Sequence, residues 1–312
     1  MADVDCDGRA DFIVRQKTMI NTDTTMISYR VHLMTIDSGF SMIGQTWYSS
    51  IQPNGTEPEY RGMADVNGDG RGDLLISERR DGRSNYQVLV HALLSNGLNR
   101  FDEQESPWAE FSVSVYDDIN IDFGDVNGDG KADLVYWQTR AGFYIFYPTY
   151  YFTCLSDGTR FLSSVFGRSI YPYYNIESKH LALRDVNGDG AADLIVSEFS
   201  QYTSDDRIYI HVYLSDLAGQ FQAKQIWVIF DWDENSTIAG IADVNGDNSA
   251  DLIIRRFDQV WGNWVFSAAK SNGHDNFSED MEPWLVLLDN PESEPPEVVG
   301  VSETGLGDWV LH

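Results

Sequence analysis

Five times along this chain an aspartate is followed at once by three apolar residues: Phe12-Ile13-Val14 after Asp11, Leu74-Leu75-Ile76 after Asp73, Leu134-Val135-Tyr136 after Asp133, Leu194-Ile195-Val196 after Asp193 and Leu252-Ile253-Ile254 after Asp251. So short an apolar run reads as a strand buried on both faces. Upstream the pattern changes. Ile119, Ile121 and Phe123 alternate with polar residues, as do Leu181 and Leu183, and alternation with period two marks a strand. Between the two patterns lies a polar segment of Asp, Asn and Gly, so each unit predicts two strands joined by a loop. Two more strands complete it. In the fourth unit the four are expected at His180–Val186, Asp193–Val196, Arg207–Ser215 and Gln225–Phe230. The third strand ends in a recurring turn, seen as LLSNGLNRF, CLSDGTRF, YLSDLAGQF and AKSNGHDNF.

The units begin near residues 2, 64, 124, 184 and 242, and their leading aspartates stand 58 to 62 residues apart. A fixed period of that size is the signature of a repeat architecture. Four antiparallel strands per repeat, arranged radially, make a β-propeller, which leaves only short, protected edges. The expected fold is therefore all-β: one propeller domain over residues 1–312, with five four-stranded antiparallel blades and a degenerate half-repeat at 298–312. In the half-repeat Asp308 falls at the ninth loop position and Trp309-Val310-Leu311 forms the triplet, while Gly300, Ser302 and Thr304 replace the other oxygen-rich residues. Either this half-blade completes a ring with the N-terminal strands, or the chain is part of a six- or seven-bladed propeller.

The loops have a chemistry of their own. Positions one, three, five and nine carry side-chain oxygens: Asp3, Asp5, Asp7 and Asp11; Asp65, Asn67, Asp69 and Asp73; Asp125, Asn127, Asp129 and Asp133; Asp185, Asn187, Asp189 and Asp193; Asp243, Asn245, Asp247 and Asp251. Calcium takes about six to eight oxygen ligands from carboxylates, amides, backbone carbonyls and water. Position seven varies freely (Arg9, Arg71, Lys131, Ala191, Ser249), as expected of a residue that offers only its carbonyl. Position six is Gly8, Gly70, Gly130, Gly190 or Asn248, residue types that tolerate the left-handed backbone of a sharp turn. An EF-hand would need a bidentate Glu at position twelve and flanking helices; Val14, Ile76, Tyr136, Val196 and Ile254 stand there instead. One loop alone would be an ordinary turn. Five with an acid or amide at every such position predict about five structural Ca²⁺ ions.

Charge fits this reading. Of the 49 acidic residues, 16 are aspartates at these positions, and five bound Ca²⁺ would bring the net charge of −28 to −18. The remaining acidity argues against nucleic acid and anionic membranes as partners, and no apolar run approaches a membrane span. Two cysteines, Cys6 and Cys154, predict free thiols rather than a disulfide framework. Loops of this kind need calcium at about 10⁻⁴ to 10⁻³ M, which favours an extracellular or periplasmic setting. No secretory leader stands before the first loop, so a trimmed chain or another export route is expected.

The DxDxDGxxD loops, each followed by an apolar strand at this spacing and accompanied by the SNGxxF-type turn, resemble the FG-GAP/VCBS repeats of integrin α-subunit propellers and of calcium-binding propeller lectins. The resemblance covers essentially the whole chain. It implies the propeller and the calcium loops, but that family includes adhesion receptors, lectins, polysaccharide lyases and toxin components, and a fold does not choose among them.

Other residues refine the choice. His32, His91 and His211 fall at matching places in the third strand, so repeat symmetry keeps them on different blades; His180 and His274 show no obvious partners. Trp47, Trp108, Trp227 and Trp284 recur 16 to 18 residues before the next loop, with Phe166 taking the place in the third repeat, and predict packing between blades. Aromatics that break the repeat are candidates for stacking on sugar rings: Tyr147, Tyr150, Tyr173, Tyr174, Trp261 and Trp264, together with Tyr144, Tyr151 and Tyr171. Arg71-Gly72-Asp73 spells an integrin-recognition tripeptide, but Asp73 is a loop residue, so the tripeptide should be tied down. There is no phosphate-cradling glycine loop, nucleophile elbow or zinc spacing. The basic residues are scattered, with no repeat-breaking His–Arg cluster. The expected function is a calcium-stabilised, non-catalytic propeller that binds a glycan, lectin-like, or an extracellular protein. The alternatives are a polysaccharide lyase or hydrolase, and a structural module of a larger toxin or surface protein.

Overall fold

Each apolar triplet enters the middle of a sheet and packs in two directions at once. Leu194 and Val196 join a core with Val135 and Tyr151 of the preceding sheet, while Ile195 between them joins Leu252 and Ile254 of the following one. Leu134 and Tyr136 likewise face Tyr86 and Val90, and Val135 faces the other way. These side chains are almost wholly buried. A strand clamped between two neighbouring sheets has no polar face, which is why the triplets do not alternate.

The computed structural model describes residues 2–35, 39–140, 148–171, 176–200, 207–231, 236–258, 263–278, 282–288, 298–299 and 310–311. Among them every regular element is a strand. Five antiparallel sheets form the blades of a propeller. The second blade contains Glu59–Ala64, Asp73–Asp81, Asn85–Ser95 and Ala109–Ser114, with Phe101–Glu103 added beside the third strand. The third contains Asp117–Gly124, Asp133–Arg140, Thr149–Cys154 and Val165–Ile170. The fourth contains Ile176–Arg184, Asp193–Ser200, Arg207–Tyr213 and Gln225–Asp231, close to the strands expected from the pattern. Ser236–Ala242, Asp251–Asp258, Asn263–Ala269 and Glu282–Leu288 make the fifth. In the first blade Phe12–Met19, Thr24–His32 and Gln45–Pro53 form the sheet, and the inner strand is reduced to the bridge between Ala2 and Asp11. In the half-repeat Val299 pairs with Val310 rather than with Asp308, the register the repeat alignment predicts.

Inner strands of successive blades lie side by side and line a central cavity of about 630 Å³. The seams between blades repeat. The eighth residue of each loop donates its N–H to the carbonyl of the first residue of the preceding loop: Gly72 to Asp3 (2.7 Å), Ala132 to Asp65 (2.7 Å), Ala192 to Asp125 (2.6 Å) and Ala250 to Asp185 (2.7 Å). The serine of each recurring turn does the same with its hydroxyl. Ser95 donates to the Val4 carbonyl, Ser156 to Val66, Ser215 to Val126 and Ser271 to Val186, at 2.5 to 2.6 Å.

The tryptophans pack between blades as expected. Trp47 meets Phe101 of the next blade, Trp108 meets Phe161 and Trp227 meets Phe277, with ring centroids 5.2 to 5.5 Å apart. The side chain of Trp284 lies outside the described residues. In the third repeat the equivalent is not Phe166, which is half-exposed, but Gly167. Its carbonyl accepts the Phe221 N–H as the Trp108 carbonyl accepts that of Phe161, so backbone bonding rather than aromatic character sets the alignment. His32 also shifts. It pairs with Phe12, the first residue of its triplet, whereas His91 and His211 pair with Ile76 and Val196, the third residues of theirs. The equivalent of those two histidines in the first blade is Arg30, opposite Val14.

Candidate metal centres

The leading aspartate of each loop is held by the loop's own backbone. Asp65 accepts the N–H groups of Gly68 (2.7 Å) and Asp69 (3.2 Å) on Oδ1 and that of Gly70 (2.6 Å) on Oδ2. Asp3, Asp125, Asp185 and Asp243 repeat the arrangement. To aim those N–H groups inward, the fourth and sixth positions take positive φ: 79° and 81° at Gly68 and Gly70, 80° and 68° at Gly246 and Asn248, 63° and 81° at Cys6 and Gly8. Cys6 therefore holds a conformation that costs a residue with a Cβ about 1–2 kcal/mol.

The third and fifth positions continue the curl. Asn67 Oδ1 accepts the Asp69 N–H at 2.9 Å, and Asp69 Oδ1 accepts that of Arg71 at 3.0 Å. The ninth aspartates are the buried members, Asp11, Asp73, Asp133, Asp193 and Asp251, each with no measurable exposure. In Asp133, Oδ2 accepts the Val126 N–H (3.0 Å) and Oδ1 the Ser156 N–H (2.7 Å); the others use the same pair of donors, with Met34 in the serine's place for Asp11. Burial pushes their carboxyls up, against the pull of those N–H groups: to about 6 at Asp11 and Asp251, about 7 at Asp133 and about 8 at Asp73 and Asp193. Two of the other carboxylates in each loop raise them further.

A carboxylate oxygen that accepts one backbone N–H keeps a lone pair for another partner. Buried acids, two more carboxylates and an amide or acid oxygen gathered in one loop fit a hard divalent cation and nothing softer. In the first loop, where position three is Asp5, oxygens of Asp3, Asp5 and Asp11 come within 4.8 Å of one another. The seventh side chains add something that spacing did not reveal. Arg9, Arg71 and Lys131 form ion pairs with Asp7 (2.6 Å), Asp69 (2.6 Å) and Asp129 (2.8 Å).

The remaining candidates scatter. Tyr150 is exposed and Tyr151 is buried; Trp264 packs on Phe257 and lies under the Arg255 guanidinium. Tyr144, Tyr147, Tyr173, Tyr174 and Trp261 lie outside the described residues. The histidines do not converge: His32 bonds the Ser41 carbonyl, His91 approaches Glu78 and His211 pairs with Glu198. His180 does have a partner, contrary to expectation, for its Nε2 lies 3.0 Å from Asp122 Oδ2. Asp73 of the Arg-Gly-Asp tripeptide is buried and Gly72 is bonded to Asp3, so the tripeptide is tied into its loop. Both cysteines are free, Cys6 exposed and Cys154 buried. The turn serines were the residues overlooked; their signal was the invariant Ser in the four recurring turns.

Residues 65–136 and 185–254, two pairs of successive loops with the strands between them, match the family described as FG-GAP-like repeat. Both stretches consist of FG-GAP-like repeats. Over 214 residues it is 24% identical to the T-cell immunomodulatory protein homolog of Plasmodium falciparum (isolate 3D7), a match that covers 61% of this chain and 28% of that protein. The likeness thus spans well under half of that relative. In this FG-GAP propeller the loops sit at one end of every inner strand, so the candidate metal residues and the cavity share a rim.

Proposed function

We propose that this chain is a calcium-stabilised, non-catalytic binding propeller that engages a protein partner. The observation that carries the calcium reading is the fivefold gathering of oxygen donors around a buried aspartate whose carboxyl burial pushes up. The side chains at positions one, three, five and nine of each loop, with the carbonyls of Arg9, Arg71, Lys131, Ala191 and Ser249, would hold about five ions. Calcium there supplies positive charge and rigidity, and takes no part in a reaction. At about 1 mM calcium and a dissociation constant of about 10⁻⁴ M, each ion stabilises the fold by about 1.4 kcal/mol, so the reading belongs to an extracellular or periplasmic setting.

A protein partner stands ahead of a glycan because the recurring tryptophans of the described residues are used up between blades and are not free to stack on sugar rings. The relative named for immunomodulation points the same way. A glycan remains the second reading, favoured by the exposed rings of Tyr150 and Tyr171. Calorimetry with calcium should give about five sites. Cell-surface binding in calcium that survives deglycosylation and disappears after mild proteolysis supports the protein partner; discrete hits on a glycan array support the second reading. Cleavage of a polysaccharide by the calcium-loaded protein would overturn both.

A further inference from the structure

At two register positions the cavity wall departs from the repeat in one sector. At the residue before each leading aspartate the inner strands carry Ala2, Ala64, Gly124 and Ala242, but the fourth blade carries Arg184. Two residues earlier in strand register, the position opposite the middle residue of the triplet is Gly62, Ala182 or Gly240, but in the third blade it is Asp122. Blades three and four are neighbours, and both Arg184 and Asp122 line the cavity. A third break supports them. His180 stands where the other blades have Tyr60, Ile121 and Ile238, stacked on Trp137 with centroids 4.1 Å apart, and its Nε2 donates to Asp122 Oδ2 at 3.0 Å. The expectation that no His–Arg cluster breaks the repeat is therefore corrected: it forms across two strands.

Each group keeps binding capacity. Asp122 accepts His180 on one oxygen and the Phe123 N–H on the other, which leaves lone pairs facing the cavity. Arg184 donates from one nitrogen to the Leu183 carbonyl (2.7 Å); among the described residues its other N–H groups have no partner. The small residues at these two positions on the other inner strands leave the volume open there, and about 630 Å³ suits a ligand of sugar size.

We propose that this sector binds a small molecule carrying a carboxylate beside a hydroxyl group, with Arg184 taking the carboxylate and Asp122 accepting from the hydroxyl. A guanidinium fork matches a carboxylate in two bonds. Arg61 also lines the cavity but is bonded to Glu59 and Ser77, so Arg184 beside a fixed carboxylate, in a rim of aspartates, suits a monoanion with a donor better than a dianion such as phosphate. His180 is a positioning residue: its ring is buried behind Asp122 and fixes the carboxylate's direction.

The test titrates the calcium-loaded protein with glucuronate, galacturonate, glycerate, glucose and inorganic phosphate up to about 10 mM, followed by calorimetry and tryptophan fluorescence, since Trp137 stacks on His180. Saturable binding of one or more of the three carboxylates, absent for glucose, is expected. A preference for the uronates marks a sugar acid as the source, and one for glycerate an open-chain acid. R184Q should weaken binding at least tenfold, and R184K should keep part of it. D122N should lose the advantage of the three hydroxy acids over acetate, titrated alongside them. Calcium stoichiometry of each variant separates loss of the site from loss of the adjacent loop. No saturable binding of any carboxylate, phosphate bound as well as the carboxylates, or full binding in a folded R184Q would overturn the proposal.

Discussion

The first three loops and the last two share a backbone and differ in one side chain. At position seven Arg9, Arg71 and Lys131 fold back onto the fifth-position carboxylate, whereas Ala191 and Ser249 leave Asp189 and Asp247 with no such cation and are themselves buried. The space is not simply empty. The Lys131 stem runs beside Gly158 of its own blade's turn and Arg71 beside Gly97, but the fourth turn has Leu217 in place of that glycine. Leu217 takes the left-handed φ of 63° that its glycine counterparts take, and its side chain covers Gly128 in the preceding loop. Blades two and three thus put a cation and a glycine where blade four puts an alanine and a leucine. Volume is conserved and charge is not. On the calcium reading, loops one to three carry part of their own countercharge, and loops four and five rely on the ion for all of it.

The largest effect should come from removing calcium altogether. If all five sites fill, a chelator takes away about 7 kcal/mol at millimolar calcium, or roughly 10–20 °C in melting temperature; calorimetry would show an unchanged midpoint if the loops do not bind the ion. Hydrogen exchange in chelator should open blades four and five before blades two and three. Next come the seams. Trp108→Ala and Trp227→Ala should each cost about 3–5 kcal/mol in calcium, measured by denaturant unfolding. In chelator the Trp227 variant should suffer more, because it loosens the seam between the two blades without built-in cations; equal losses would break the comparison. A double change, Ala191→Lys with Leu217→Gly, transplants the arrangement of blade three into blade four. It should raise chelator-state stability by about 0.5–1 kcal/mol, the range of an exposed ion pair, and lower the gain from calcium. Smallest is the contrast between Asp69→Asn and Asp189→Asn in chelator. The first loses its pair with Arg71 and should cost about 0.5 kcal/mol; the second removes an unbalanced charge and should be neutral or slightly stabilising.

Much of this was legible in the residues. The triplets announced strands packed on both faces because no polar residue interrupts them, and the fourfold turn announced the third strand of blades two to five. The left-handed positions were legible too, since among the described residues glycine or asparagine fills all but two, Cys6 and Leu217. What escaped had one physical origin, the lateral placement of strands. Gly167 takes the place of a tryptophan because a backbone bond to Phe221 defines that place, and a glycine gives an alignment nothing to match. His32 lies two residues from its apparent counterparts because strand register, not distance from the loop, decides equivalence. Asp122 and His180 are 58 residues apart, close to one period. That separation marks neighbouring blades but not which side chains lean toward the shared seam.

The serine couplings have a consequence for how such a molecule grows. Each joins a hydroxyl in one unit to a valine carbonyl in the unit before it, and the same two groups recur at four successive seams. Because a unit carries a complete plug on one side and a complete socket on the other, tandem duplication of its coding segment yields a newcomer that already fits both neighbours. Length is then free to change by whole units, while shorter insertions are absorbed away from plug and socket, as the spacings of 58 to 62 residues across intact junctions show.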